Sequence, residues 1–369
     1  MELLTNELRN MRIKWLLIVV IAISVSSCSS KQRKELNVES LPLAIGNAYQ
    51  ALIVLEESLM KSPINDTIGF YLTGPYLIVP TPQPVLDVSA TQPRDFTGYA
   101  KHRRNIIYIG ALDSETRTSN IIRKALGADN IKKAQEEKGF RFAIQKNKWA
   151  RGQRVIYVFA PTTAELPDAI RRSSPKIIEE IYKSDQNIAK ASAYAGGSNN
   201  LINTTLKEKL SIIMNIPKGF RMVNEYAMDD STVWLRYDAR EVGYNIIIRT
   251  MDYNQDNLIS TDNLIKARNK LGKRYVGTIK SGTYMSTEVK NRPFPVFQQT
   301  KINNQFALEG RGLWKTVGDY MGGPFLSYMV LNPNNNRMVF MDGFIQAPGK
   351  KEQRDYVERL KTIMESLRF

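Results

Sequence analysis

One cysteine sets the terms for the rest of the chain. Cys28 is the only cysteine in 369 residues, so nothing after it can close a disulfide or build a thiolate metal site. Whatever folds there must be held by apolar burial and hydrogen bonds. Cys28 also ends a recognisable pattern. Arg12 and Lys14 precede an apolar run from Trp15 to Val25, and Ser26 and Ser27 lead into the cysteine. A spanning helix needs about 20 apolar residues, and this run is roughly half that. A basic segment, a short apolar stretch and small residues before a cleavage point read as a secretory signal. A cysteine at that point reads as the lipidated first residue of the mature chain. The alternative, a bare thiol in an oxidising compartment, is something secreted chains seldom carry.

Glu2 and Glu7 are unusual ahead of such a signal, and Met11-Arg12-Ile13-Lys14 reads as the more typical start. Ser29, rather than an aspartate, follows Cys28, which favours the outer membrane. The basic tether Lys31-Gln32-Arg33-Lys34 favours its periplasmic face. The full chain carries +16. Arg9, Arg12 and Lys14 against Glu2 and Glu7 remove a net +1 with the signal, leaving +15. That excess suits anionic surfaces such as lipid headgroups or glycans, although solvated, spread-out charge is the plainer reading; the partners expected are the membrane held through Cys28 and an envelope protein or an anionic glycan or lipid. Nucleic acid is not a partner that an envelope chain meets. The charge is spread along the sequence, with one tight cluster at Lys101-His102-Arg103-Arg104.

Continuous apolar runs predict strands at Ala51–Leu55, Asn105–Ile109 and Arg154–Ala160, the last paired as a hairpin with Phe142–Gln145. The prolines between Val79 and Pro84 predict irregular extended chain, because proline removes ladder donors. Thr118–Leu126 reads as a short helix. Pro161–Tyr194 reads as helical with a break at Ser174-Pro175, where serine caps and proline takes a first turn. Leu201–Met214 reads as a further helix. Beyond Ile216 the order is three strands, the helix Thr261–Leu271, three strands, and a last amphipathic helix bearing Tyr356, Leu360, Ile363 and Leu367. That order predicts an antiparallel sheet with packed helices. We divide the chain into a signal (1–28), a tether (29–40), an N-terminal α+β domain (41–195), a helical linker (196–215) and a C-terminal α+β sandwich (216–369). Each domain is expected to be an antiparallel sheet with helices on it. Their alike endings, a hairpin strand, then Ala-Pro, then a helix, point to an internal duplication or to two domains of one architecture.

Residues 41–48 and 147–160, Tyr284–Glu288, Arg311-Gly-Leu-Trp314, Gly318–Phe325 and Asn336–Pro348 resemble a Bacteroidota lipoprotein family known only as a domain of unknown function. The likeness covers nearly all of the mature chain. It implies an envelope location and carries no catalytic residues. Residues 216–369 separately resemble the antiparallel sandwich of the Mog1 and PsbP proteins, which serve mainly as binding modules.

No constellation of side chains fixes a reaction. His102, the sole histidine, stands among cations and reads as part of a basic surface rather than a metal ligand. Asp252, Asn254 and Asp256 have the spacing that opens a calcium loop. Asn257 stands where glycine is wanted and Asn263 where glutamate is, so an Asx-rich turn with Ser260 capping the next helix is the plainer reading. Ser173-x-x-Lys176, followed by Ser198-x-Asn200 and Lys280-Ser281-Gly282, falls in the order used by penicillin-binding serine enzymes. Ser173 and Lys176 are thus the candidates for an envelope hydrolase or acyltransferase. The turn Gly318–Phe325 with Trp314 is a candidate binding surface, since Gly322 and Gly323 allow close backbone approach and Asp319, Tyr320 and Trp314 would line it, although a tight turn between two strands with aromatics in the core is the plainer reading. No cofactor is expected. The leading expectation is a non-catalytic envelope binding or assembly factor. A serine enzyme and a weak calcium-dependent module are the alternatives.

Overall fold

The computed structural model describes residues 38–223, 229–254, 258–350 and 353–369. Cys28, the signal and most of the tether lie outside the described residues, as does Asp256. The chain forms two compact units, both α+β. One comprises residues up to Leu72 and Leu86–Ile181, the other Thr73–Val85 and Tyr182–Phe369.

The first unit is built on strands β1 (Gln50–Val54), β2 (Asp87–Thr91), β3 (Asn105–Ala111), β4 (Phe142–Lys146) and β5 (Arg154–Ala160). Helices α1 (Glu57–Met60), α2 (Pro63–Leu72) and α3 (Arg117–Glu136) connect them, and α4 (Leu166–Ala193) leads out. The sheet order is β2-β1-β3-β5-β4. β1 pairs parallel with β2 and β3, and β3 pairs parallel with β5. Only β4, the hairpin partner of β5, is antiparallel. This corrects the expectation of an antiparallel sheet here, and the cause is visible in burial. All of β3 is buried, as suits a parallel strand covered on both faces. The two units therefore do not repeat one architecture. Helix α3 also runs past its expected end. It bends at Gly127, whose φ of +73° only glycine adopts without strain.

Helix α4 passes unbroken through Pro175. The Ser173 and Ser174 hydroxyls donate back to the Ala169 and Ile170 carbonyls, serving the helix from within rather than capping a new one. Proline deprives the Arg171 carbonyl of its usual helical partner, at a position where Arg171, Arg172 and Pro175 are exposed.

The second unit carries helix α5 (Asn200–Leu210), strands β6 (Arg221–Met222), β7 (Thr232–Ala239) and β8 (Val242–Asp252), and helix α6 (Thr261–Tyr275). There follow β9 (Tyr284–Thr287), β10 (Val296–Ile302), β11 (Gln305–Val317), β12 (Gly322–Asn332), β13 (Arg337–Gln346) and helix α7 (Arg354–Met364). The eight strands run β10-β11-β12-β13-β8-β7-β6, with β9 beside β10 along β11, and every pairing is antiparallel. One face packs on α6 through Leu264, Leu271 and Tyr275. The other packs on α7 and on α5, whose Ile202, Leu206 and Leu210 enter the same core. The residues expected as a linker thus form part of this unit.

That second face has another occupant. Residues 73–85, from the early sequence, lie in the same unit, with Tyr76 and Val79 in its core. The Tyr76 hydroxyl donates to Glu358 (2.7 Å) and accepts from Arg311 (2.8 Å). The Arg354 amide donates to the Gln83 side chain (2.7 Å) and its guanidinium to the Pro84 carbonyl (2.9 Å). Arg311 also pairs with Glu309 at 2.6 Å and with Glu358 at 3.6 Å. Burial pushes the Glu309 carboxyl up, but Arg311 and the Tyr328 hydroxyl outweigh it and hold it below its usual range. On the α6 face, Arg268 and Asp342 pair at 3.1 Å with both side chains wholly buried.

Candidate binding cleft

In the first unit a cleft of about 850 Å³ opens over the sheet face that α3 covers. Its floor comes from strand residues that alternation sends to one side. Tyr108 and Tyr157 are register partners on β3 and β5, and their rings stack at 5.6 Å. Phe96 stands edge-on to Tyr108 at 5.7 Å and leans on Trp149 at 5.8 Å. The wall is the exposed side of α3.

Four lining residues are cationic, Lys101, Arg117, Lys124 and Lys148, and none is acidic. Lys148 lies deepest. Its ammonium sits 4.5 Å from the Trp149 ring and donates to the Tyr157 hydroxyl at 2.7 Å, and that hydroxyl donates to Gln145 at 3.1 Å. Burial draws the Lys148 ammonium below its ordinary range and pushes the Tyr157 phenol up to about 12. A negative charge entering the cleft would reverse the first effect.

The turn presenting Lys148 and Trp149 is fixed by backbone chemistry. Asn147 takes a positive φ, and its side chain accepts from the Gly152 amide at 2.7 Å. Gln153 accepts from the Trp149 amide at 3.0 Å and donates to the Lys101 and Arg103 carbonyls at 2.6 and 2.7 Å. One buried glutamine therefore joins the turn to the basic cluster. Lys101 of that cluster reaches the cleft, and His102 does not line it.

In open parallel sheets the usual ligand place is the crevice where strand order reverses, here between β1 and β3. The chain fills that place itself. Glu56 accepts from the Thr118 amide at 2.9 Å and its hydroxyl at 3.0 Å, at the start of α3. A carboxylate already neutralises the helix terminus that would otherwise attract an anion.

The residues singled out from sequence fare differently. Trp314 is 4% exposed, its indole donating to the Ile345 carbonyl at 3.0 Å, so it belongs to the core, as the plainer turn reading has it, and does not line a groove. At Gly323 a Cβ would run into that same carbonyl, and at Gly322 one would stand 2.8 Å from the Trp314 carbonyl. These glycines admit a neighbouring strand, not a ligand. Asp319 bonds the Tyr320 amide at 2.8 Å and the Thr278 side chain, and the Tyr320 side chain stands out in solvent. Ser173 is buried and donates to its own helix, while Lys176 is exposed. That arrangement offers no open nucleophile. Asp252 ends β8 and pairs with Arg337 at 3.4 Å, Asn254 follows it, and Ser260 caps α6 by accepting from Asn263 at 3.2 Å. The Ser260 cap is as expected, and residues 255–257 of the loop lie outside the described residues.

The cleft itself was not foreseen. Its residues lie far apart in sequence and meet only because β3 and β5 are parallel neighbours. The available signal was Lys148-Trp149 beside the recognised Asn147–Gly152 turn.

Several solved structures are similar to this chain. Cyanobacterial PsbP (CyanoP) from Synechocystis sp. PCC 6803 is 15% identical, covering 42% of this chain and 85% of its own, with a TM-score of 0.28. The Ran-binding protein Mog1p of Saccharomyces cerevisiae is 10% identical, covering 42% and 89%, with a TM-score of 0.28. LpqN of Mycobacterium tuberculosis is 11% identical, covering 42% and 81%, with a TM-score of 0.25. No curated protein matches the chain. Residues 44–194 match the family described as Domain of unknown function (DUF8532), and residues 199–366 match Domain of unknown function (DUF4837), so the likeness to families without an assigned function holds in both halves.

Proposed function

We propose that this chain is a non-catalytic binding protein of the cell envelope, held by a lipid on Cys28 at the periplasmic face of the outer membrane. Its first unit captures an anionic ligand that also presents a ring or other apolar part. The observation that carries this reading is the cleft: four cations and no carboxylate around an aromatic floor. Cations hold the charge of such a ligand, and the Trp149 and Phe96 rings cover its apolar part. An anionic glycan or lipid of the envelope has that chemistry.

The test is titration of the chain beginning at Ser29 with a sugar phosphate, a uronic acid and an aryl phosphate, followed by tryptophan fluorescence and calorimetry. At least one should bind saturably, and Lys148→Met should weaken it about tenfold or more, the scale of one charge-assisted hydrogen bond. If none of the three binds, the reading fails. The anchor is tested separately: cells given radiolabelled palmitate should label the wild type and not Cys28→Ser.

A further inference from the structure

We propose that one edge of the second unit's sheet is a contact surface for an anionic lipid bilayer, separate from the ligand cleft and not dependent on it. The edge is formed by β9 and β10, which follow one another along β11. Three loops border it. The first, residues 276–283, presents Ile279 and Lys280. The second, residues 288–295, presents Val289, Lys290, Arg292 and Phe294. The third is the β11–β12 turn, which presents Tyr320. Ile279 and Tyr320 are exposed to 108% and 105% of reference, and Val289, Phe294 and Val296 are also exposed. β9 is four residues long, about 13 Å at 3.3 Å per residue, so the first and third loops stand at one end of this short strand and the second at the other, along one sheet edge.

The loops are held in place. The Lys280 ammonium donates to the Gly318 carbonyl at 2.9 Å, joining the first loop to the third. Asp319 bonds Thr278 across the same gap. Glu288 gathers the second loop, accepting from the Lys290 and Asn291 amides at 2.7 and 3.1 Å and from the Lys315 ammonium at 2.9 Å. The backbone of a pinned loop loses little further freedom on contact.

Chemistry selects the occupant. Apolar tips alternate with Lys280, Lys290 and Arg292, and both carboxylates of the loops, Glu288 and Asp319, are already engaged within the protein. Interleaved aromatic, aliphatic and basic side chains match the boundary of an anionic bilayer, where apolar tips enter between headgroups and cations meet phosphates. A protein partner would need a flatter apolar area and would leave the cations to find carboxylates of its own.

The experiment is co-sedimentation of the chain beginning at Ser29, which carries no acyl group and contains every described residue. The vesicles are phosphatidylcholine with or without phosphatidylglycerol. We expect partition into the anionic vesicles only. Each cation near such a surface contributes about a fivefold factor, so Lys280→Gln with Lys290→Gln and Arg292→Gln should reduce partition about 100-fold. Ile279→Ser with Phe294→Ser should reduce it about tenfold, with an unchanged thermal transition showing that the fold survives. Lys207→Gln with Lys209→Gln, on α5, serves as control for diffuse attraction by net charge and should change partition less than threefold. Failure to bind anionic vesicles overturns the proposal, as does an equal loss per charge in the control or retention of binding in both rim variants. Concentration-dependent self-association in place of vesicle binding assigns the rim to a second copy of the chain and likewise overturns it.

Discussion

Arg268 shows how much one side chain can hold when it has no access to water. Its guanidinium pairs with Asp342, lies over the Phe325 ring 3.8 Å from its centre, and donates to Thr287 at 2.9 Å. Burial pushes the Asp342 carboxyl up while Arg268 draws it down, and one of its oxygens has no hydrogen-bond partner among the described residues. Such a pair is a weak source of stability, but half of it is a liability. Arg268→Met should therefore cost about 3–5 kcal/mol in urea unfolding, and Arg268→Met with Asp342→Leu should recover most of the loss. A double variant no better than the single one would mean that the guanidinium acts through packing alone. None of this was visible in sequence, where Arg268 looks like any cation on an amphipathic helix.

Among the elements, the second loop of the sheet edge depends on a single carboxylate. The hydrogen bond from Lys315, with those from the Lys290 and Asn291 amides, draws Glu288 down to about 2 from an ordinary 4.5. A depressed folded-state value means that the stabilisation is complete above pH 4.5 and is lost as pH falls from there through 2. The Lys290 and Asn291 amide resonances should accordingly titrate with a midpoint near 2. A midpoint at 4.5 would show a carboxylate that holds nothing. Sequence legibility also divides by element. Strands buried as apolar runs, such as β1, β3 and β5, are plain from composition. The edge strands β2, β9 and β10 are not, since each has one side in solvent and little apolar alternation. Parallel pairing was legible in principle from the unbroken apolar runs of β3 and β5, but the hairpin signal of β4 with β5 obscured it. The cleft could not be read at all without that pairing.

For the molecule as a whole, the chain passes between units at residues 72, 85 and 181, so the second unit borrows thirteen residues from early in the sequence. A fragment of residues 182–369 keeps all eight strands but leaves Arg311 and Glu358 without Tyr76 and opens the core where Val79 sat. Loss of one large apolar side chain and two buried hydrogen bonds should cost about 3–5 kcal/mol. The fragment should unfold at clearly lower urea than the same region within the full chain, and added peptide 73–85 should restore part of the difference. Equal midpoints would show that the segment rests on the sheet without supporting it.

The same loan has a consequence for biosynthesis. Residues 73–85 leave the ribosome, and cross the membrane if the chain is exported, more than two hundred residues ahead of Arg311 and Glu358. Tyr76 and Val79 must wait without their partners until the last strands and the final helix arrive. The piece made early becomes the closing piece of the later unit, and the arrival of α7 is the step at which Tyr76 first meets Glu358.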